Sequence, residues 1–216
     1  MSFLTDKISR KNLDSLIEPY QTNVRVLDVG GSGSPDYQKY FPNRVVVDLN
    51  PGPGITITAS VYDLPFKDGE FDLVLCIAVL EHLEDPIKAA HEMRRVLKSG
   101  GRIIISVPFM FPIHDAPNDY WRFTKFGLRK LFSEGWIIET VVAESNTQET
   151  LAVILQRVGY QTKMKLNSFS KFTVFFLAQI LGRMPNMIKA VYGDIGKKHE
   201  EPEAFANGFF LTAKKI

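Results

Sequence analysis

Two acidic residues and a glycine-rich stretch are the residues of this sequence with the clearest chemical potential. Asp28 lies in the apolar run 24–29, which continues into Gly30, Gly31 and Gly33, and Asp48 ends the next apolar run. Glycines without β-carbons let a ligand approach the backbone closely. A carboxylate at the end of the second strand accepts hydrogen bonds from both hydroxyls of a ribose. The pattern therefore predicts a nucleoside-type site at the carboxyl end of the first strand.

Asp28 narrows the choice of nucleoside. A carboxylate beside the glycine loop repels a pyrophosphate and attracts a cationic amino group. The dinucleotide pattern G-x-G-x-x-G, counted from Gly31, also places Asp36 where the third glycine should stand. We therefore expect a nucleoside that carries an amino acid, and an NAD(P)-binding oxidoreductase is the disfavoured alternative.

The stretch 108–124 holds a second group of chemically capable side chains. We expect His114 to be the catalytic base, because a neutral imidazole is available near pH 7. Arg122 also lies in this stretch. A guanidinium beside a crevice favours the binding of an anionic acceptor, either a carboxylate or a phosphate. The residues expected to bind the substrate are Asp119, Tyr120, Trp121 and Arg122.

Other interpretations of these polar groups remain open. Trp121 and Phe123 are equally consistent with anchors of the core. His114, Asp115 and Asp119 could ligate a metal, but such groups in a proline-rich loop more often fix the loop, so no metal is expected. Glu81 and His82 follow the fourth apolar run and are either catalytic or part of the next helix cap. We expect no role for the other two histidines, His91 and His199.

Alternating periodicity predicts the elements that must position these groups. Apolar runs favour strands at 24–29, 44–49, 55–58, 71–77, 102–107, 136–143 and 209–213. Helical spacing and breakers favour helices over 8–18, 85–97, 124–132, 149–160 and 172–183, with Gly100 and Gly101 ending the second. Ser34 and Pro35 should begin a further short helix. Alternation of strands and helices predicts an α/β fold with a parallel sheet wound on both sides.

The interval 144–208 separates the sixth strand from the last and is predicted to be a helical insertion. Its part 157–198 holds eight basic residues and the single acid Asp194, and 172–181 is apolar nearly all round. A segment this apolar is not expected to be exposed to water, and it is too short to span a bilayer. We therefore expect another surface to pack against it. We favour a lid over the acceptor side, with a homodimer interface and an anionic membrane surface as alternatives.

Length and composition limit the remaining choices. A chain of 216 residues suits one domain, 1–216, and a formal net charge of +2 gives no reason to expect a nucleic-acid partner. Cys76 is the only cysteine and lies in an apolar run, so we expect a buried thiol. The start of the sequence has no apolar stretch typical of a signal peptide, and we expect a cytoplasmic protein.

Five motifs in a fixed order carry a resemblance over about half of the chain. They are Leu27-Asp28-Val29-Gly30, Asp48, Asp63-Leu64-Pro65-Phe66, Val79-Leu80-Glu81-His82-Leu83 and Val96-Leu97-Lys98-Ser99-Gly100-Gly101. In this the sequence resembles the class I S-adenosylmethionine-dependent methyltransferases, specifically the small, single-domain, methyltransferase type 11-like kind. The resemblance implies a Rossmann-like, doubly wound sheet of seven strands, mostly parallel with an antiparallel last strand, and S-adenosyl-L-methionine as cofactor.

The resemblance also implies roles for individual residues. Asp28 and Gly30 would hold the methionine moiety, and Asp48 the ribose. The full set of implied cofactor-binding residues is Asp28, Gly30, Gly31, Ser32, Asp48, Leu49, Ser60, Val61, Tyr62, Ile77 and Leu80. Ser32, Ser34 and Ser60 depart from the usual family pattern, so we expect retuned contacts there.

The implied activity is methyl transfer to a small-molecule or saccharide-linked acceptor, at oxygen. The stretch 108–124 is similar to one found in methyltransferases of bacterial surface-polysaccharide biosynthesis. A protein that binds the cofactor without turnover, as a partner subunit, is the main alternative.

Overall fold

The computed structural model describes residues 8–9, 12–31, 37–163, 168–196 and 199–216. Within these residues the chain forms two compact units. The first, which we call the sheet unit, comprises Ser15–Pro108, His114–Val142 and Phe209–Ile216. The second, the helical unit, comprises the described parts of Met1–Asp14, Phe109–Ile113 and Ala143–Gly208. The prediction of one domain, 1–216, with an insertion over 144–208 stays a prediction.

A single seven-stranded sheet contains every strand that the sequence predicts. Its strand order is β3-β2-β1-β4-β5-β7-β6, and it is mostly parallel with an antiparallel last strand. The strands are β1 Val26–Val29, β2 Arg44–Asp48, β3 Ile57–Thr58, β4 Phe71–Ile77, β5 Leu97–Pro108, β6 Trp136–Ala143 and β7 Gly208–Lys215. The predicted fold class is therefore confirmed, although β1 begins two residues later than the apolar run, at Val26.

The register of the central strands brings their carboxyl ends to one edge. β1 pairs in parallel with both neighbours, so that Val29 lies beside Val47 of β2 and Cys76 of β4. All four residues of β1 are buried, as expected for a strand covered on both faces. Cys76 is a free, buried cysteine, as predicted. The turns after β1, β2 and β4 therefore meet at the switch point, where ligands of such sheets bind.

The helices follow the predicted pattern with shifted ends. They are α1 Leu13–Ile17, α2 Pro86–Val96, α3 Lys125–Leu131, α4 Thr147–Gln161 and α5 Ser168–Arg183, with 3₁₀ turns at Glu18–Tyr20, Tyr37–Lys39 and Leu80–His82. Asp85 caps α2 by accepting the Lys88 N–H, and Thr124 caps α3 in the same way from Gly127. The helix predicted to begin at Ser34 and Pro35 lies outside the described residues.

The end of α2 corrects one expectation. Gly100 and Gly101 do not end the helix, because α2 stops at Val96 and both glycines lie within β5. Leu97 already pairs with Phe71 of β4, so strand pairing takes over at once from the helix. Gly100 adopts a φ of +74° there, which explains why a glycine stands at this position.

Two packed helices make up most of the helical unit. Asn146 and Glu149 form a reciprocal capping box at the start of α4. α5 lies close to α4 because Gly159 has no side chain: a Cβ built there would lie 2.8 Å from the Phe175 ring. Ile8, Ala152, Val153 and Ala178 are buried together in this unit.

One face of α5 remains apolar and exposed. Its exposed side chains are Phe172, Phe176, Leu177 and Ile180. No helix among the described residues is long and apolar enough to cross a membrane. The lid, the homodimer and the membrane surface all stay predictions for this face.

Candidate functional site

Asp28 lies at the centre of the sheet with one carboxylate oxygen satisfied and one not. Its Oδ2 accepts a hydrogen bond from Nη1 of Arg44 at 2.8 Å. Its Oδ1 is buried and has no hydrogen-bond partner among the described residues. Burial raises the pKa of Asp28 from 3.8 to about 7, against the opposing effect of Arg44. A buried acceptor without a donor is suited to a cationic ligand group.

The turn after β1 is too tightly packed for any residue except glycine. Gly30 has a φ of +69°, and a Cβ built there would lie 2.4 Å from Cγ2 of Val79. A Cβ at Gly31 would lie 2.6 Å from Oδ2 of Asp28 and 2.7 Å from Cγ1 of Val46. The loop therefore lies directly against the Asp28 carboxylate and the residues that follow β4.

Asp48 and Leu49 follow β2 at the same edge of the sheet. Oδ1 of Asp48 accepts the N–H of Asn50 at 3.0 Å, which orients the carboxylate. The Leu49 side chain is 68% exposed, which is unusual for leucine. A carboxylate beside an exposed apolar side chain can hold a ribose and cover part of a base.

The predicted adenine-binding stretch is a short, self-bonded turn. Oγ of Ser60 accepts the N–H of Tyr62 at 3.2 Å, and Val61 is buried. The Tyr62 hydroxyl accepts the N–H of Asp85 at 3.0 Å, so this ring is tied to the start of α2. The roles predicted for Ser60, Val61 and Tyr62 stay predictions.

The end of β4 lies against the glycine turn. Ile77 and Leu80 are almost completely buried, so their side chains present almost no surface to a ligand. Between them, Ala78 adopts a φ of 55°, an uncommon conformation for a residue with a side chain. Strain of this kind clusters where a structure must place a functional group. The roles predicted for Ile77 and Leu80 also stay predictions.

Just beyond β4, three side chains that the sequence separates come together. We call Glu81, His82 and His114 the polar cluster. Nε2 of His82 and Nε2 of His114 each lie 3.8 Å from Oε1 of Glu81, and the two rings are 4.9 Å apart. Glu81 is fully buried. The sequence left the role of Glu81 and His82 open, and the fold places both beside the predicted base.

An ion pair supports the polar cluster from behind. Arg122 binds Asp119 through both terminal nitrogens, at 2.6 and 2.7 Å, and holds the pKa of Asp119 well below its usual range. Asp119 in turn accepts the backbone N–H of His114 at 2.9 Å. Arg122 therefore positions Asp119 here, and its predicted role toward an anionic acceptor stays a prediction.

The setting of His114 also changes its acid–base behaviour. Its polar contact with Glu81, the charge of Asp119 and that of Glu81 raise its pKa, against the effects of burial and of Arg122. A higher pKa leaves less neutral imidazole at pH 7 than the sequence-based argument assumed. The prediction that His114 is the catalytic base stays a prediction.

The residues after Asp119 wrap around the 3₁₀ turn. The backbone N–H groups of Tyr120 and Trp121 donate to the Glu81 carbonyl, at 2.8 and 3.2 Å. The indole N–H of Trp121 donates to the carbonyl of Leu83 at 2.7 Å. Trp121 and Phe123 line a cavity of about 610 Å³ between α2 and α3. Trp121 is 42% exposed and Phe123 9%, so the first is available for stacking and the second is an anchor of the core.

Comparison with known proteins supports the same interpretation. Residues 27–105 match a family model described as a methyltransferase domain. The ubiquinone/menaquinone biosynthesis C-methyltransferase UbiE of Idiomarina loihiensis is 31% identical over 171 residues, which cover 64% of this chain and 66% of that protein. Residues 27–105 are therefore a methyltransferase domain of the class I S-adenosylmethionine-dependent kind. This family and fold imply S-adenosylmethionine as the cofactor.

Solved structures share the fold of this methyltransferase over nearly its whole length. A Thermotoga maritima protein described as a possible histamine N-methyltransferase has a TM-score of 0.63 at 13% identity, covering 99% of this chain and 93% of that one. The [4+2]-cyclase SpnF has a TM-score of 0.54 at 16% identity, covering 96% and 81%. The methyltransferase spans less than half the length of three other curated relatives, from Methanocaldococcus jannaschii and Schizosaccharomyces pombe.

The residues present fit the cofactor of this methyltransferase. The unpaired Oδ1 of Asp28 is suited to an ammonium group, and the turn at Gly30 and Gly31 leaves the backbone bare beside it. Ser32 lies outside the described residues. Of the predicted residues, the fold brings Asp28, Gly30 and Gly31 into one contact group, with Asp48 and Leu49 at the next strand end.

Sequence reasoning missed two residues of the methyltransferase site. Arg44 begins β2 and reaches Asp28 across the strand pair, and Val79 closes over Gly30. The signal for Arg44 was a basic residue at the start of a buried strand, which needs a partner. No signal in the sequence pointed to Val79, since its contact depends on where the turn after β4 lies.

Proposed function

We propose that this methyltransferase transfers the methyl group of S-adenosylmethionine to a hydroxyl oxygen of a small-molecule or saccharide-linked acceptor. The observation that carries the choice of S-adenosylmethionine as methyl donor is the buried, unpaired Oδ1 of Asp28 beside the glycine turn. An ammonium group satisfies that oxygen, whereas a pyrophosphate would be repelled by it. The NAD(P)-binding oxidoreductase considered from the sequence is therefore abandoned.

When bound, S-adenosylmethionine supplies an activated methyl group, so the chain itself mainly provides orientation. Asp28 binds the amino group, Asp48 the ribose hydroxyls, and Leu49 covers one side of the base. Holding two reactants in line is the main source of rate in such a reaction. A hydroxyl acceptor must also lose a proton, and a group of the enzyme must accept it.

The polar cluster supports a hydroxyl acceptor. It lies just beyond β4, and Val79, at the start of the same turn, contacts Gly30 of the cofactor loop. Glu81 and the two imidazoles can together accept a proton from an acceptor hydroxyl. The exposed indole of Trp121, fixed by its bond to Leu83, offers a flat apolar face of the kind that sugars stack on.

A carbon acceptor is the second candidate. The relative UbiE is named a C-methyltransferase, and this chain is 31% identical to it over 171 residues. A protein that binds the cofactor without turnover, as a partner subunit, is the third.

Two measurements test the proposal. Calorimetric titration with S-adenosylmethionine should show binding, and titration with NAD should show none. The purified chain should then be incubated with methyl-labelled S-adenosylmethionine and a panel of sugars, phenols and hydroxy acids, with quinol and indole carbons as controls. Label in an ether linkage supports oxygen transfer, whereas label on carbon contradicts it. Binding without transfer to any member of the panel would favour the partner subunit.

A further inference from the structure

Glu81 has a buried carboxyl group that lies beside two imidazoles and accepts no hydrogen bond within the described part of the chain. It is 0% exposed, and neither Oε1 nor Oε2 has a hydrogen-bond partner among the described residues. Buried carboxylates in proteins are paired, hydrogen-bonded or bound to a metal. A cation beside Glu81, either a protonated imidazole of the polar cluster or a metal ion held by the neutral rings, would satisfy this carboxyl group.

His82 is held with one ring nitrogen directed at that carboxyl group. Its Nδ1 lies 2.7 Å from the carbonyl oxygen of Asn118, and a carbonyl can only accept, so Nδ1 donates. In the neutral ring this leaves the lone pair on Nε2, which lies 3.8 Å from Oε1 of Glu81. A backbone carbonyl behind an imidazole is the usual arrangement behind a metal-binding histidine.

His114 has a carboxylate near its Nδ1 where His82 has a carbonyl, but at a longer distance. Its Nε2 lies 3.8 Å from the same Oε1 of Glu81, and its Nδ1 lies 3.4 Å from Oδ2 of Asp119. Asp119 is itself fixed by the two nitrogens of Arg122. Carboxylate, histidine and metal in series is a recurrent feature of zinc sites.

We propose that Glu81, His82 and His114 bind one divalent transition-metal ion, with zinc as the best match to the ligand set. Two imidazoles and one carboxylate are the protein ligands of one class of catalytic zinc sites. The three ligand atoms lie within 4.8 Å of one another. Zinc–ligand bonds of about 2.0 to 2.1 Å place ligand atoms about 3.3 Å apart in a tetrahedron, so small side-chain rotations complete the site.

The ligand chemistry disfavours the common hard cations. Magnesium and calcium prefer sets made only of oxygen, whereas imidazole favours zinc, copper, iron and nickel. Three protein ligands leave at least one position for water or a substrate oxygen. With the metal bound, the ligand nitrogens would no longer accept the proton of an acceptor hydroxyl, and the metal would instead lower the pKa of an oxygen at the open position. The inference replaces the expectation from the sequence that no metal binds, and it goes beyond the proposed function, because its test reads metal rather than methyl transfer.

The four histidines of the chain provide matched variants for the test. His82→Ala/His114→Ala removes both proposed imidazole ligands and leaves His91 and His199. His91→Ala/His199→Ala removes the other two histidines and leaves both proposed ligands, His82 and His114. Both proteins should be prepared as the full chain without an affinity tag and freed of metal by a chelator.

Cobalt(II) is the probe, because its visible absorption reports coordination geometry. The parent and His91→Ala/His199→Ala should each bind one cobalt ion per chain, with visible bands that zinc displaces. His82→Ala/His114→Ala should lose at least about 100-fold in affinity, and Asp119→Asn about 10- to 100-fold as a second-layer residue. Equal binding by the two double variants, or no binding by the parent, would overturn the site.

Thermal unfolding separates a metal site from a merely structural cluster. Zinc should raise the melting temperature of the parent and of His91→Ala/His199→Ala, and should not raise that of Glu81→Gln. In excess chelator, a difference in melting temperature between Glu81→Gln and the parent reports the contact of Glu81 with the two imidazoles, so the shift that zinc adds is the quantity compared. A large loss of melting temperature in chelator together with an undiminished zinc effect would refute the proposal.

Discussion

The Asp28 carboxylate accepts a hydrogen bond from Arg44 at 2.8 Å while both side chains lie inside the sheet, 1% and 11% exposed. The pairing satisfies only Oδ2, and burial outweighs the guanidinium, so the pKa of Asp28 is about 7. A carboxyl group in this state changes its charge near neutral pH. Both cofactor affinity and fold stability should therefore depend on the protonation of Asp28.

Cofactor affinity should rise with pH. Binding an ammonium group requires the ionised Asp28, so below the pKa of about 7 the free protein must first release a proton. Affinity for S-adenosylmethionine should then fall about tenfold for each pH unit below that value. Calorimetry in two buffers of different ionisation enthalpy measures this proton release. Asp28→Asn should bind more weakly above about pH 7 and approach the parent at lower pH. A parent affinity that is constant from about pH 6 to pH 8 would contradict the assignment.

Stability without cofactor should show the opposite trend. Because folding raises the pKa of Asp28 from 3.8 to about 7, its protonation favours the folded state fully below 3.8 and stops doing so as pH rises through 7. The difference corresponds to about 4 kcal/mol. Asp28→Asn should therefore raise the free energy of unfolding at about pH 8 and have a smaller effect at about pH 5. Denaturant unfolding checks this, with Asp63→Asn as an exposed control.

Gly30→Ala should damage the fold as well as the cofactor site. The new Cβ would lie 2.4 Å from Val79, a stiff β-branched residue, at a φ of +69°. Gly100→Ala is the matched control, because Gly100 has a φ of +74° with nothing within 4 Å of its Cβ. The control should lose about 1 to 2 kcal/mol from backbone strain alone, and Gly30→Ala at least about 1 kcal/mol more.

Val79→Ala in the Gly30→Ala background separates the two causes. The double variant should recover the part of the loss that comes from the clash and keep the part that comes from strain. Denaturant unfolding and calorimetric titration with S-adenosylmethionine give both readouts. Equal losses in Gly30→Ala and Gly100→Ala would show that the contact with Val79 is unimportant.

Asp48→Ala should weaken cofactor binding without unfolding the protein. Charge-assisted hydrogen bonds to two ribose hydroxyls contribute roughly 1.5 to 3 kcal/mol, a loss of about 10- to 150-fold in affinity. Asp72→Ala, near the amino end of β4, should bind as the parent does. An Asp48→Ala protein with parental affinity would show that the ribose lies elsewhere.

Arg122→Ala should lower stability, in contrast to a residue that only binds an acceptor. Its two bonds hold the Asp119 side chain, which is 1% exposed, and their removal leaves a buried carboxylate without its cation. We expect the free energy of unfolding to fall by about 2 kcal/mol. Arg129→Ala, on the exposed side of α3, is the control. An unchanged melting temperature with reduced methyl transfer would instead support the acceptor role first assigned to Arg122.

The strands, the glycine turn and the helix caps depend on residues that are close in sequence, so they could be predicted from the sequence. The apolar runs predicted all seven strands, and glycines beside Asp28 predicted the cofactor turn, because strand burial and backbone freedom depend on neighbouring residues. The helix caps at Asp85 and Thr124 follow from the same local rules.

Only the tertiary structure decided which ionisable side chains lie close to one another. Arg44 reaches Asp28 through the pairing of β1 with β2, and His114 reaches Glu81 through the wrapping of residues 118–121 around the 3₁₀ turn. Both contacts set pKa values, through burial and through the distance between charges. The sequence spacing of two residues gives neither their burial nor the distance between their charges. Glu81 and His114 are 33 positions apart in sequence, and only the folded chain brings them within 3.8 Å of each other.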